Sequence, residues 1–229
     1  MSNILQNRKP SMGHRLALPY IAAAGIIGMA YAGLLEQTWH TAAPTPPMSL
    51  QQAITDFDTG HLTVATAAFR TLANAGDNHA AYWYGHALDR GLGTPADANA
   101  AITQYLKASA AGDTQAGTRL GELYLDGNTA PQDFVKARSY LTAAAERGNA
   151  RAALDLGHML REGIGGPADP VSAYAWLEVA SLRGNAQAQY ERNRLLPRLL
   201  PAQQAQAIQQ VSKIMPVEAA NATVPPAKA

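Results

Sequence analysis

The side chains that could perform catalysis or bind a metal ion in this 229-residue chain are its acids and histidines, because it contains no cysteine. The lack of cysteine excludes disulfides, thiolate zinc sites and cysteine nucleophiles. His79 and His86 are two helical turns apart, too far for both to hold one ion without a third ligand. No nucleophile elbow, zinc-binding HExxH or phosphate-binding glycine loop is present. The sequence therefore predicts no metal site and no cofactor.

Paired carboxylates are the remaining source of chemistry, since two acids that are distant in sequence can meet in a fold and act as general acid and base. Asp97, Asp133 and Asp169, however, recur at intervals of 36 residues. A residue that returns at a fixed interval indicates a structural role, here the capping of a helix, and not a single catalytic pair. We therefore predict that the protein is not an enzyme.

The interval of 36 residues organises most of the chain. Gly76, Gly112, Gly148 and Gly184 follow it without drift, and each precedes Asp or Asn. Other small residues recur in the same register: Ala80, Ala116 and Ala152; Gly85, Gly121 and Gly157; Gly91, Gly127 and Gly163; Ala101, Ala137 and Ala173; Ala108, Ala144 and Ala180. A fixed period of this length indicates a stacked array of repeats.

Each unit is predicted to be an antiparallel pair of helices. In residues 77–112, apolar residues with helical spacing precede Gly91, which is placed to end the first helix as a C′ glycine. Pro95 and Asp97 then open the second helix. Gly85 allows a neighbouring helix to approach closely. Neither helix can bury its apolar stripe alone, so the pairs must stack.

This pattern resembles the Sel-1-like repeat family, a relative of the tetratricopeptide repeats. The second unit carries the family's residues at Ala116, Leu120, Gly121, Tyr124, Gly127, Asp133, Ala137, Tyr140, Ala144 and Gly148, and the third adds Trp176. The first unit departs from the pattern at Gln104, where the family has Trp, and the second has Thr129 in place of the second loop glycine. The resemblance implies an all-α fold, a right-handed α–α superhelix that binds other proteins.

The array is predicted to span residues 50–216. It comprises an N-terminal cap at 50–76, repeats at 77–112, 113–148 and 149–184, and a C-terminal cap at 185–216. In the C-terminal cap, Pro201 is placed at a helix start, followed by an apolar stripe of Ala205, Ile208, Val211 and Ile214 or Met215. The proline-rich segment 38–49 is predicted to be a linker, and the tail 217–229 to be disordered.

The N-terminal region is predicted to hold a transmembrane helix. Residues 16–35 carry no charge and are long enough to cross roughly 30 Å of hydrocarbon, so we assign the helix to 16–37. Basic residues in the segment 1–15 place that segment in the cytoplasm and the repeats in the periplasm of a bacterial inner membrane. The alternative is a signal peptide cleaved after Ala32. Ala24, Gly28 and Ala32 are spaced for packing on a second membrane helix.

In superhelices of this family, the first helix of each pair lines the concave face. The polar and aromatic positions left over there vary between repeats while the core positions stay constant, which predicts a groove for a protein partner. Its residues are His79, Trp83, His86, Arg90, Arg119, Glu122, Arg151, Asp155 and His158. Arg119 and Arg151 are expected to be exposed, so that their removal would affect binding and not folding. The alternative for Trp83 is burial against the N-terminal cap.

The sequence thus favours a membrane-anchored protein–protein interaction scaffold, an adaptor or accessory subunit of an envelope complex. From Glu36 onward there are 15 Lys and Arg against 17 Asp and Glu, which argues against nucleic acid as a partner. One alternative is a periplasmic hydrolase, because some relatives are described as β-lactamase-like; those relatives are rich in cysteine. The other is a small structural subunit that contacts its complex mainly through the membrane helix.

Overall fold

Within residues 48–216, which the computed structural model describes, the chain forms ten α-helices and one 3-10 turn, and no strand. The helices are α1 (Leu50–Asp58), α2 (Leu62–Asn74), α3 (Asn78–Arg90), α4 (Ala98–Ala110), α5 (Thr114–Asp126), α6 (Phe134–Glu146), α7 (Ala150–Glu162), α8 (Pro170–Leu182), α9 (Ala186–Leu195) and α10 (Pro201–Ile214), with the 3-10 turn at Leu196–Arg198. Each helix packs on the next from α1 to α9. The predicted all-α solenoid of helix pairs is confirmed for this range.

The predicted membrane helix at 16–37, with its packing stripe at Ala24, Gly28 and Ala32, lies outside the described residues. So do the segment 1–15, most of the linker and the tail 217–229. None of the helices between residues 48 and 216 combines the length and the apolar character needed to cross a membrane.

The helix starts are set by side-chain caps. The first helices of the pairs follow Asp77, Asp113, Asn149 and Asn185, whose side chains accept hydrogen bonds from free backbone N–H groups. The second helices follow Asp97, Asp133 and Asp169 in the same way, which confirms the capping role of these aspartates. Removal of one such cap typically costs about 1 kcal/mol of stability. The periodic aspartates therefore mark helix starts.

The first helices end on glycines in the left-handed conformation. Gly91, Gly127 and Gly163 have φ values of 67°, 73° and 73°, and each donates its N–H to the carbonyl four residues earlier. A residue with a Cβ is strained in this conformation, so glycine is the favoured end of these helices. The chain then turns back, and Asp97 N–H donates to the carbonyl of Leu88.

Close packing within each pair depends on a second set of glycines. Gly85, Gly121 and Gly157 lie in the middle of the first helices and contact Tyr105, Leu141 and Leu177 of the second helices. A Cβ at position 121 would lie 2.5 Å from Leu141 Cγ and 3.3 Å from the Ala137 carbonyl oxygen. The predicted close approach at the glycines is confirmed, and these contacts form the centre of each pair.

The stack of helix pairs ends at α9, which lacks the glycine at which the earlier first helices pack on their second helices. At the positions where the earlier first helices carry Gly85, Gly121 and Gly157, α9 has Asn193, which is exposed. A polar outer face on the last unit stops further stacking. Helix α10 then packs on α8 and covers the last complete pair.

The predicted apolar stripe of α10 is partly wrong. Ala205 and Ile208 are exposed, whereas Ala207, Val211 and Met215 are buried. The side chain of Gln204 donates hydrogen bonds to the carbonyls of Leu196 and Leu199 in the preceding turn. These bonds fix the Gln204 side of α10 against the preceding turn. Ala207, Val211 and Met215 follow Gln204 at helical spacing, so they lie on the same side and are buried.

Candidate functional site

A shallow cavity of about 300 Å³ lies across the first helices α3, α5 and α7. Its lining residues are Tyr82, His86, Arg90, Gln115, Thr118, Arg119, Glu122, Asn149 and Arg151. Five of these, His86, Arg90, Arg119, Glu122 and Arg151, belong to the predicted groove. Of the other predicted groove residues, His79, Trp83, Asp155 and His158 do not line this cavity. We call the surface formed by the first helices around this cavity the groove.

A chain of ion pairs runs through the groove and joins three repeats. Asp89 in α3 accepts from Arg119 Nε in α5 at 2.8 Å, and Arg119 also donates to Glu122 at 3.0 Å. Arg151 in α7 lies 3.5 Å from Glu122 and donates to Asp155 at 2.9 Å. The five side chains alternate in charge, so each guanidinium is shared by two carboxylates.

The Asp89–Arg119 pair is the buried end of this chain of ion pairs. The side chain of Asp89 is 6% exposed and that of Arg119 is 26% exposed, and Asp89 also accepts from the hydroxyl of buried Tyr105 at 3.3 Å. Burial opposes the charge on Arg119, but the hydrogen bonds to Asp89 and Glu122 outweigh it and raise its pKa. The expectation that Arg119 is exposed is therefore wrong, because a carboxylate 30 residues earlier holds it in the wall of the groove.

Arg151 is different, because its side chain is 60% exposed. Its partner Asp155 is mostly buried, and this burial raises the pKa of Asp155 although the hydrogen bond from Arg151 lowers it. The expected exposure of Arg151 is confirmed. Its guanidinium can therefore meet a ligand in the groove.

The N-terminal end of the groove is aromatic. The ring of Trp83 stacks on Phe69 and meets Phe57 edge-on, with both centroid distances 5.7 Å. Trp83 is thus half-buried against the N-terminal cap, as the alternative expectation held, and its neighbour Tyr82 lines the cavity instead.

The histidines of the groove have distinct surroundings. Burial, and then the charge of Arg90, lower the pKa of His86, whose Nδ1 has no hydrogen-bond partner among residues 48–216. His79 is exposed, with its Nδ1 3.1 Å from Asp113. His158 Nε2 lies 2.8 Å from Glu191 but makes no well-aligned hydrogen bond. In the part of the chain that is described, no three His, Asp or Glu side chains are grouped to hold a metal ion.

The groove continues into a fourth row of side chains that sequence reasoning missed. Tyr190, Glu191, Arg194 and Arg198 lie 36 residues after Leu154, Asp155, His158 and Glu162 of the third repeat. They line a second cavity, of about 530 Å³, together with Arg161, Glu162 and Leu195. Adding 36 residues to the groove positions of the third repeat would have identified them. The early break at Pro197 hid the fact that α9 still presents the groove positions.

A family comparison agrees with the periodicity of these helices. The family model of the Sel1 repeat matches three consecutive stretches, residues 78–113, 115–149 and 150–185. Apart from Thr114, the first residue of α5, these stretches contain the pairs α3–α4, α5–α6 and α7–α8. No curated protein matches the sequence.

Two solved structures have a similar fold. The Sel1 repeat protein from Oxalobacter formigenes superposes with a TM-score of 0.62 at 24% identity, covering 71% of this chain and 68% of that one. A protective antigen of uropathogenic Escherichia coli strains, which displays an SLR fold, gives a TM-score of 0.51 at 22% identity. The alignment covers 74% of this chain but only 46% of the antigen, so the chain matches about half of that protein. At these identities the likeness concerns the fold alone.

Proposed function

We propose that the chain is a membrane-anchored adaptor, because residues 78–113, 115–149 and 150–185 match the family model of the Sel1 repeat, a fold typical of protein–protein interaction scaffolds. It binds a protein partner along the groove and serves as an accessory or assembly subunit of a bacterial envelope complex. The repeats supply a rigid frame, and the anchor keeps that frame near the membrane.

The observation that carries this proposal is the contrast between constant and variable positions on the same helices. Gly85, Gly121 and Gly157 are the same residue in each first helix because each meets a second helix. The next positions along the chain are His86, Glu122, His158 and Arg194, which are not constant between rows; three of them line a groove cavity, and His158 contacts Glu191 of the second cavity. A constant frame with a variable face produces one specific surface, and arginine and tyrosine are enriched at binding hot spots.

The anchor is proposed from the sequence. Residues 16–35 are uncharged, Arg8, Lys9 and Arg15 precede them, and Arg70 is the next basic residue. A reporter that is active only in the periplasm, fused after Ala229, should be active, and the full-length product should sediment with membranes. A soluble product that begins at Gly33 would instead identify a cleaved signal peptide, and an inactive reporter would overturn the orientation.

The groove is tested by site-specific photo-crosslinking in intact membranes. A photoreactive residue at Gln115, which is exposed and lines the cavity, is expected to form a discrete adduct with a protein partner. The same residue at Arg70, exposed on α2 and outside the cavity, is the matched control.

The double variant Arg90→Ala/Arg151→Ala should reduce the Gln115 adduct at least tenfold, because one hot-spot arginine contributes about 2 kcal/mol to binding and about 1.4 kcal/mol corresponds to a factor of ten. Its melting temperature should change little, since both side chains are exposed. An undiminished adduct in this variant would contradict the groove as the binding surface. Loss of all adducts on deletion of residues 1–40, in protein that is still folded, would favour contact through the membrane helix.

A further inference from the structure

The fourth row of the groove carries two exposed arginines, Arg194 and Arg198. Neither of them makes an ion pair within residues 48–216. The other guanidinium of the second cavity, Arg161, is held by Glu162 at 2.8 Å and by Glu191 at 2.6 Å. Within the second cavity, the positive charge available to a ligand is therefore concentrated at Arg194 and Arg198.

This local charge is not a general property of the array. Residues 48–216 contain 14 Lys and Arg and 15 Asp and Glu, a formal difference of −1. In the middle rows of the groove, Arg119 and Arg151 are each shared between two carboxylates. The fourth row departs from this balance, because Glu191, its only acid, is already bound by Arg161.

In the second cavity, Tyr190 orients one of these arginines. The guanidinium of Arg194 lies over the ring of Tyr190, 5.5 Å from its centroid. Tyr190 itself is 61% exposed, so one part of its ring remains free to contact a ligand. Stacking on an aromatic ring orients a guanidinium, and its planar fork matches a carboxylate. The cavity thus combines an oriented carboxylate-binding group with the exposed aromatic surface of Tyr190.

We propose that the fourth row binds an acidic, extended segment of the protein partner, with one carboxylate on Arg194 and a second on Arg198. Arg194 is next to the last residue of α9 and Arg198 ends the 3-10 turn that follows, so both lie at the C-terminal end of this helix. Side chains two residues apart in an extended peptide lie on the same face and are separated by about 6.6 Å, so a Glu-X-Glu segment can present two carboxylates to these two long, exposed side chains. The intervening side chain can then pack on Tyr190. This inference rests on the proposed function and names the chemistry of the partner at one end of the groove.

The surroundings favour a peptide over a polyanion. Glu162 lines the same cavity with its side chain 57% exposed, and a continuous phosphate backbone or an anionic membrane surface would meet it as well as the arginines. Nucleic acid binding requires several cations along one face, whereas this row offers two. A short acidic segment can contact both arginines and leave Glu162 in solvent.

The test uses the full-length protein in neutral detergent and a fluorescein-labelled peptide of alternating Glu and Ala, with binding followed by fluorescence anisotropy. Wild-type protein should bind this peptide and should bind a Gln–Ala peptide at least tenfold more weakly. Arg194→Gln/Arg198→Gln should weaken binding of the Glu–Ala peptide about tenfold, because two exposed ion pairs together contribute about that factor. The dissociation constant of this double variant should also depend less on salt concentration than that of the wild type.

The charge-matched control is Arg70→Gln/Lys213→Gln, since both residues are exposed, lie outside the two groove cavities and have no ion pair in the described range. This control should bind the peptide like the wild type. The proposal is overturned if wild-type protein does not bind the Glu–Ala peptide, if both double variants bind alike, or if both peptides bind equally. Tighter binding to an oligothymidylate or to phosphatidylglycerol vesicles would also overturn it, in favour of nucleic acid or membrane.

Failure of this inference is distinguishable from failure of the proposed function. If the Gln115 adduct persists while the acidic peptide does not bind, the groove binds a partner of another chemistry. If the peptide binds at the fourth row but no adduct forms from Gln115, the acidic site stands and the adaptor role does not.

Discussion

Replacement of Gly121 by Leu is expected to lower the free energy of unfolding by about 3 kcal/mol. The new Cβ would lie 2.5 Å from Leu141 Cγ, and the rest of the side chain would be directed at the α5–α6 contact. Leu141 can move only a little because it is fully buried, and the Ala137 carbonyl, 3.3 Å from the same Cβ, belongs to the backbone. The two helices must therefore separate, and overpacking of this kind is costly.

The measurement is urea unfolding followed by circular dichroism. Leu has a higher helix propensity than Gly by about 0.8 kcal/mol, so a loss of stability can arise only from packing. Ala143→Leu, which adds the same side chain at an exposed position of α6, is the control and should change stability by less than about 0.5 kcal/mol. Equal stability of Gly121→Leu and wild type would show that α5 and α6 do not pack through this glycine.

Replacement of Asp89 by Ala is expected to cost about 3 kcal/mol of stability. The change leaves Arg119 without its closest carboxylate, at 2.8 Å, and leaves the hydroxyl of Tyr105 without its acceptor in a buried position. Removal of one partner of a buried pair is costly because the other partner keeps its desolvation penalty. Glu122 still binds Arg119 but is on the solvent side of the chain of ion pairs.

A double-mutant cycle separates the pair from its surroundings. Asp89→Ala/Arg119→Ala should cost less than the sum of the two single changes, because the double variant no longer buries an unpaired charge. Arg151→Ala, at the exposed end of the same chain of ion pairs, should cost less than about 1 kcal/mol of stability. Additive effects of Asp89→Ala and Arg119→Ala would mean that the two side chains do not stabilise the array through their contact.

This difference between Arg119 and Arg151 changes how the groove should be tested. Both arginines occupy variable positions on first helices, and sequence reasoning treated them as equivalent. In the fold, Arg119 bridges two repeats and Arg151 is mostly exposed. Loss of binding after a change at Arg119 would therefore report on stability as well as recognition, whereas Arg90 and Arg151 report mainly on recognition.

The sequence by itself determined the repeat unit, because the features that define the unit are local. The cap Asp97 acts on the N–H group three residues away, and Gly91 ends its own helix through its own φ angle. Gly121 was identifiable as a close contact because the same residue returns every 36 positions. These interactions are encoded within a single period, so spacing and residue type suffice to predict them.

Only the tertiary structure decided which variable side chains are free to bind. Trp83 was assigned to the groove but packs on Phe57 and Phe69 of the N-terminal cap, and Arg119 is held by Asp89 from the preceding repeat. Arg194 and Arg198, which are exposed and unpaired within residues 48–216, lie beyond the last full repeat, in α9 and the turn after it. The physical reason is that the burial and pairing of a side chain depend on neighbours that other helices supply, and a repeat pattern specifies the position of a residue but not its partner.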